Sequence, residues 1–285
     1  MLRRSSGAIA VLAVLAMLGS ACGKKATPAA TGTSGGSSQS PSAAPLTLIT
    51  TGTLTVGSCL DYSPFEYFKG SSTSPTGFDV ELMDAIAKNL GLTVTWKKAN
   101  FDTIFTALAA WQFDAVAAAS TIKPERLQVV DFSDPYYNAR QSLTVNTAKT
   151  PDIKTTDDLK SGDVVGVQKG TTGKDWAEAN LASKGIQVKT FTNAPDAFTD
   201  LEAGQIAGVI NDEPSSETEV QSRPGLAVVE PIDTGEHYGI AIGKGHPDIL
   251  AAVNGALKAI IADGGYKTIF NKYFPGVPIP AEYGG

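Results

Sequence analysis

Two opposite charges in unusual settings carry the most chemical information in this 285-residue chain. Arg126 closes the run Thr121-Ile122-Lys123-Pro124-Glu125-Arg126, where Pro124 suits the first turn of a short helix. A guanidinium is a planar fork of donors that matches a carboxylate, and the unpaired N–H groups of a helix start also favour an anion. The other use of such an arginine is a surface ion pair, here with Glu125 or Asp131. Asp212 ends the apolar run Gly208-Val209-Ile210-Asn211 and therefore stands at the end of a strand. It can meet a cation there, or cap a helix beginning at Glu213-Pro214. Gly170-Thr171-Thr172, with Gln168 just before, leads from a strand into a helix and brings N–H and hydroxyl donors. Its spacing lacks the terminal Gly-Lys-Ser/Thr of a phosphate loop.

Catalytic and metal-binding patterns are not legible. His237 and His246 pair with no cysteine at a metal-ligand spacing, and neither lies near the residues above in sequence. Cys59 has no basic partner that would make it a nucleophile, so it reads as a buried free thiol. No cofactor and no metal are expected. The net charge of −6 and the lack of a lysine- or arginine-rich run argue against nucleic acid.

The elements that must position these residues alternate short β-type runs with helical patterns, an α/β arrangement with largely parallel sheets. Leu54-Thr55-Val56-Gly57 reads as a strand, and Val80, Met83, Ile86, Ala87 and Leu90 fall at helical spacing. Asp79 is placed to cap that helix and Gly91 to end it. Thr93 to Trp96 is a strand, Asp102 suits the cap of a helix bearing Ile104, Phe105 and Leu108, and Asp114 to Ala119 is a strand of small residues. The same grammar returns at Val164–Val167, Val188–Phe191, Gly208–Ile210 and Tyr238–Ile242, with helices between and a long one after. Two α/β units of similar size result, with crossings near 141–146 and 235–241. Ligands in such folds bind beyond the carboxyl ends of the strands.

The N-terminus is an export signal. Arg3 and Arg4 precede an apolar stretch, Ala8 to Leu18, that is shorter than the ~20 residues of a membrane span. Gly19-Ser20-Ala21 leads to Cys22. Residues 23–47 are Gly, Ser, Thr, Pro and Ala with little to bury, the composition of a disordered tether. With Cys22 removed or modified, Cys59 has no partner for an intrachain disulfide.

The run Gly77-Phe78-Asp79-Val80-Glu81-Leu82, the turn Thr121 to Arg126, and the following Phe132-Ser133 and Pro135-Tyr136 resemble the family 3 bacterial extracellular solute-binding proteins. The resemblance implies a type II periplasmic-binding-protein-like fold, two α/β lobes joined by a two-stranded hinge. It divides the chain into a signal (1–22), tether (23–47), first lobe (48–141), second lobe (142–237) and a return to the first lobe (238–285). Residues 1–22 resemble a lipoprotein signal, with Cys22 the lipidated residue and an extracytoplasmic, membrane-anchored product. Leu18 lies one position further from the cysteine than usual, so ordinary cleavage to a secreted protein is the other outcome.

By the same resemblance the protein is a monomeric amino-acid-binding component of an ABC importer that docks on a membrane permease. Arg126 and the Gln168, Thr171 and Thr172 group would meet the ligand carboxylate, and Asp212 its ammonium. Thr121 would act as a hydroxyl donor, Ala119 through its backbone, and Tyr62 and Phe101 as aromatic walls. Cys59 stands where relatives that take cationic side chains often carry an acid, which implies a neutral polar ligand of about glutamine's size. Ala207 also departs from the family pattern, at a position that does not touch ligand. The same fold resembles periplasmic cyclohexadienyl dehydratases, and under that alternative Glu213 or Asp61 would supply the acid.

Overall fold

A computed structural model of the chain describes residues 46–285; the export signal, Cys22 and nearly all of the tether lie outside them. Strand β1 (Thr53–Ser58) leads into a small antiparallel sheet of β2 (Asp61–Tyr62), β3 (Glu66–Phe68) and β4 (Pro75–Thr76), where the sequence suggests only a loop. Helix α1 (Phe78–Asn89), β5 (Thr93–Lys98), α2 (Phe101–Ala109), β6 (Ala115–Val116), α3 (Pro124–Leu127) and β7 (Val130–Phe132) follow. The chain then enters a second sheet through β8 (Tyr137–Asn146). It continues through β9 (Val164–Gln168), α4 (Thr172–Asn180), β10 (Gln187–Phe191), α5 (Ala194–Ala203), β11 (Gly208–Asp212) and α6 (Glu213–Ser222). The long β12 (Leu226–Tyr238) carries it back to β13 (Ala241–Gly243), α7 (Pro247–Ala262) and α8 (Gly265–Tyr273).

Two mixed five-stranded sheets result, in the orders β5-β1-β6-β13-β7 and β10-β9-β11-β8-β12. The expectation of largely parallel sheets holds for β5-β1-β6 and β10-β9-β11 only. The strands that cross between lobes arrive antiparallel, β13 against β6 and β7, β8 against β11 and β12. β8 and β12 form the hinge, where Tyr137, Asn138 and Ala139 face Tyr238, His237 and Glu236. Tyr238 therefore ends a hinge strand instead of opening the next one.

Helix α1 shows how sequence becomes packing. Its apolar face puts Phe78, Leu82, Met83 and Ile86 in the core, each nearly or fully buried. Phe78 meets Phe65, Tyr136, Tyr137, Tyr266, Phe270 and Phe274 edge-on or stacked. Full burial of such a ring contributes about 1.5–3 kcal/mol. Asp79 does not cap this helix: Gly77 is the N-cap and no side chain bonds the first turn. Asp102 is likewise inside α2 and not its cap, since the helix starts at Phe101.

Gly77 has φ 137°, and a Cβ there would meet the Phe65 carbonyl oxygen at 2.0 Å. Gly91 has φ 70° in open space, the left-handed residue that ends α1. Gly77→Ala should lower the unfolding free energy by more than about 2 kcal/mol, because strain and overlap add. Gly91→Ala should cost about 1 kcal/mol, the left-handed penalty alone. Urea denaturation of both variants checks the difference.

Candidate ligand site between the lobes

A small cavity lies where the carboxyl ends of β1, β9 and β11 face one another. Its walls contain Cys59, Tyr62, Phe101, Ala119, Thr121 and Arg126 from the first lobe, and Gln168, Thr171, Thr172 and Asp212 from the second. Ala118 and Glu66 complete the lining.

Arg126 is 5% exposed, so the surface-pair alternative does not hold. Asp131 is taken by Lys244 instead. Among the described residues no carboxylate oxygen lies within ion-pair distance of the guanidinium. Nη1 donates to the Thr121 carbonyl at 2.8 Å and Nη2 to the Gly170 carbonyl of the opposite lobe at 3.2 Å. The rings of Phe101 and Phe105 lie 5.0 and 4.8 Å from its central carbon. Phe101 is thus as much a support for Arg126 as a wall for a ligand. Burial lowers the guanidinium pKa to about 10, although the charges of Asp212, Glu236 and Asp175 act the other way. A buried cation with donors to spare is a seat for an anion.

Asp212 occupies the N-cap position of α6 but makes no capping bond with its side chain. Its carboxyl accepts instead from Tyr238 at 2.6 Å, from Tyr62 at 2.8 Å, and from Gln141. Burial raises its pKa to about 6, the Glu236 charge adds to the rise, and the tyrosine and Gln141 hydrogen bonds oppose it. The Tyr62 hydroxyl oxygen also lies 3.0 Å from Asn211 Oδ1, so one aromatic of the first lobe reaches two residues of the second.

The three threonines differ from expectation in one respect. Thr121 donates its hydroxyl proton to Glu236 at 2.5 Å and Thr172 donates to the same residue at 2.8 Å. Thr171 donates to the Gln168 carbonyl and accepts from the Lys174 N–H as the true N-cap of α4. None of these protons is free for an anion in the cavity. The donors left for an anion are the Arg126 guanidinium and the backbone N–H groups at the start of α4, which a helix cannot satisfy internally.

Glu66 and Ala118 are lining residues the sequence does not reveal, and Glu66 carries chemistry. Glu66 is fully buried, and among the described residues neither of its carboxyl oxygens has a hydrogen-bond partner. Burial pushes its pKa well up, with the charges of Asp79, Asp61 and Asp212 adding to the effect. In the β2–β3 hairpin it pairs directly with Tyr62, so the two share a face. Cys59 is a free buried thiol, driven further toward the protonated form by burial and by Glu66. Asp61 turns away to Lys98 at 3.2 Å, and Glu213 pairs with Arg140, so neither acid of the dehydratase alternative lines the cavity. His237 bonds Asn138 on the hinge, and His246 stacks on Trp111.

Residues 54–276 match the model of the bacterial extracellular solute-binding proteins, family 3. The chain belongs to that family. It is 34% identical over 222 residues to a probable histidine-binding protein of Neisseria gonorrhoeae, covering 77% of this chain and 82% of that one. It is 34% identical over 224 residues to the L-cystine-binding protein TcyJ of Escherichia coli K12, covering 78% and 83%. Among solved structures, an ancestral arginine-binding protein bound to arginine superposes with a TM-score of 0.74 at 39% identity, over 78% of this chain and 98% of that one. The two lobes and hinge of this solute-binding protein are the type II periplasmic-binding-protein arrangement.

Arg126→Met keeps the volume between Phe101 and Phe105 and removes a buried charge whose desolvation opposes folding. The ligand-free variant should unfold at a temperature equal to or above that of the wild type, and should lose any stabilisation by carboxylate ligands. Differential scanning calorimetry with and without ligand checks both halves.

Proposed function

We propose that this protein captures a free α-amino acid between its lobes and delivers it to the permease of an ABC importer. The observation that carries the reading is Arg126, buried without a carboxylate partner, on the same cavity as Asp212. A zwitterion supplies what each lacks, a carboxylate for Arg126 and the α4 N–H groups and an ammonium for Asp212. Tyr62 and Phe101 close the sides. The protein binds its ligand unchanged and works outside the cytoplasm, held to the membrane through a lipid on Cys22.

The side-chain end of the cavity sets the ligand class. The expectation of a neutral ligand rests on Cys59 alone, and Glu66 brings to the same cavity the acid that Cys59 does not. A buried carboxyl with both oxygens unpartnered favours a side chain rich in donors, and a guanidinium offers the best-matched fork. Arginine is therefore the proposed ligand, consistent with the arginine-bound structural relative. By isothermal titration calorimetry, arginine should bind at least about tenfold more tightly than glutamine, the preference expected of a charge-assisted contact. Glu66→Gln should erase most of that preference. Tighter binding of glutamine than of arginine by the wild type would refute the arginine proposal, and no binding by any amino acid would refute the whole reading.

The pH dependence follows from Asp212. An ammonium needs its ionised form, whereas the empty site holds the proton up to about pH 6. In Glu66→Gln, where Asp212 is the cavity acid left to ionise, affinity should be constant above about pH 7 and should weaken by up to about tenfold per unit as the pH falls below 6; in the wild type the raised pKa of Glu66 should carry the loss to higher pH. Titrations between pH 5 and 8 measure the slope.

A further inference from the structure

Thr121 and Thr172 stand on opposite lobes and both line the cavity, yet their hydroxyl protons go to one atom outside it. Oε2 of Glu236, on hinge strand β12, accepts from Thr121 Oγ1 at 2.5 Å and from Thr172 Oγ1 at 2.8 Å. Its other oxygen accepts from Gln141 Nε2 at 3.0 Å and Thr234 Oγ1 at 2.9 Å. Glu236 is 7% exposed, so these bonds lie largely out of water. A hydroxyl has one proton; once a carboxylate holds it, the oxygen has only lone pairs to offer elsewhere.

We infer that Glu236 is a positioning residue for the ligand site, taking both threonine protons so that Thr121 and Thr172 act as acceptors for an ammonium. This rests on the amino-acid reading above and reverses the donor role expected of Thr121. It divides the cavity by polarity. Anion recognition is left to Arg126 and the α4 backbone, while Asp212 and the two threonine oxygens form the cationic side. Gln141 joins the two halves of that side, since its Nε2 donates to Asp212 and Glu236 and lies 3.3 Å from Thr172 Oγ1, which leaves that oxygen a second lone pair for an ammonium. The arrangement also depends on lobe closure, because one oxygen of a hinge residue can hold a first-lobe and a second-lobe threonine only when the lobes have met.

A double-mutant cycle tests the inference, with arginine as the calorimetric probe. Glu236→Ala frees both threonine protons and should weaken arginine binding about tenfold or more. In a Thr121→Val/Thr172→Val background the same substitution should change the dissociation constant less than about twofold, because nothing is left to orient. Equal losses in both backgrounds mean that Glu236 supports the fold only, and overturn the inference. The preference for arginine over Nα-acetylarginine, which lacks the ammonium, should narrow in Glu236→Ala; an unchanged ratio also overturns it. If the alanine variant does not fold, Glu236→Gln is run through the same cycle. The amide then places an N–H₂ against donors on one side or the other. If wild-type protein binds glutamine and not arginine, the ligand proposal fails alone, and the cycle is carried out with glutamine and Nα-acetylglutamine.

Discussion

The guanidinium of Arg126, taken out of water with no carboxylate of the described residues in contact, is the constraint that organises the centre of the molecule. An ionised group in that position costs several kcal/mol unless its surroundings compensate. Here two carbonyls and two aromatic faces hold it, and the fields of Asp212 and Glu236 act from a distance. Asp212 is under the opposite strain, with its proton retained to about pH 6. Glu66 has no partner for either oxygen. Each group is incomplete in a way that another would relieve only by collapsing the cavity. The proposed ligand, a zwitterion with a donor-rich tail, would complete all three at once.

The lobes meet through contacts of unequal weight. Tyr62 reaches Asn211 and Asp212, and Arg126 reaches Gly170, all in buried or partly buried surroundings. At the rim, Lys123 pairs with Asp175 and Lys169 with Asp102, reciprocal charges on the two lobes. Exposed pairs of this kind contribute about 0–1 kcal/mol and fade with salt. They orient the closing surfaces without holding them shut. Gly170 allows the approach, since a Cβ there would come within 3.0 Å of the Asp102 Cα. Most of the bias toward closure must come from a ligand that touches both lobes, which is the condition for a ligand to shift a hinge equilibrium.

The sequence was legible where function is carried by motifs at strand ends, and illegible where it depends on pairing between distant strands. Arg126, Asp212 and the Gly170–Thr172 loop announce themselves because each sits at a local boundary between elements. Glu66 does not, because strands of two or three residues leave no periodic trace, and only the Tyr62–Glu66 register shows that both face one way. Glu236 and Gln141 lie on the two hinge strands, where an alternating pattern predicts a half-buried strand and nothing more. Their partners come from other parts of the chain, at separations of 95 residues between the two and 115 from Glu236 to Thr121. The donor role expected of Thr121 differs from the observed bond for the same reason. A residue type reveals that a hydroxyl is present, while its proton's direction depends on an acceptor that only the folded hinge brings near.

Asp79 joins the scaffold to the site. Its spacing suggests a helix cap, yet its carboxyl points inward and is fully enclosed, accepting the Ala119 N–H and the Tyr136 hydroxyl at 2.9 Å. Burial raises its pKa to about 6 and these hydrogen bonds hold it down. Ala119 has φ 44°, a left-handed conformation that costs a residue with a Cβ about 1–2 kcal/mol. The bond from Asp79 helps to keep it there, and with it the segment Ala118–Thr121 that lines the cavity. The helix whose wording marks the family contributes no residue to the cavity wall. Its first acid nevertheless sets the backbone that does, so the same short run both builds the first lobe and shapes the floor of the site.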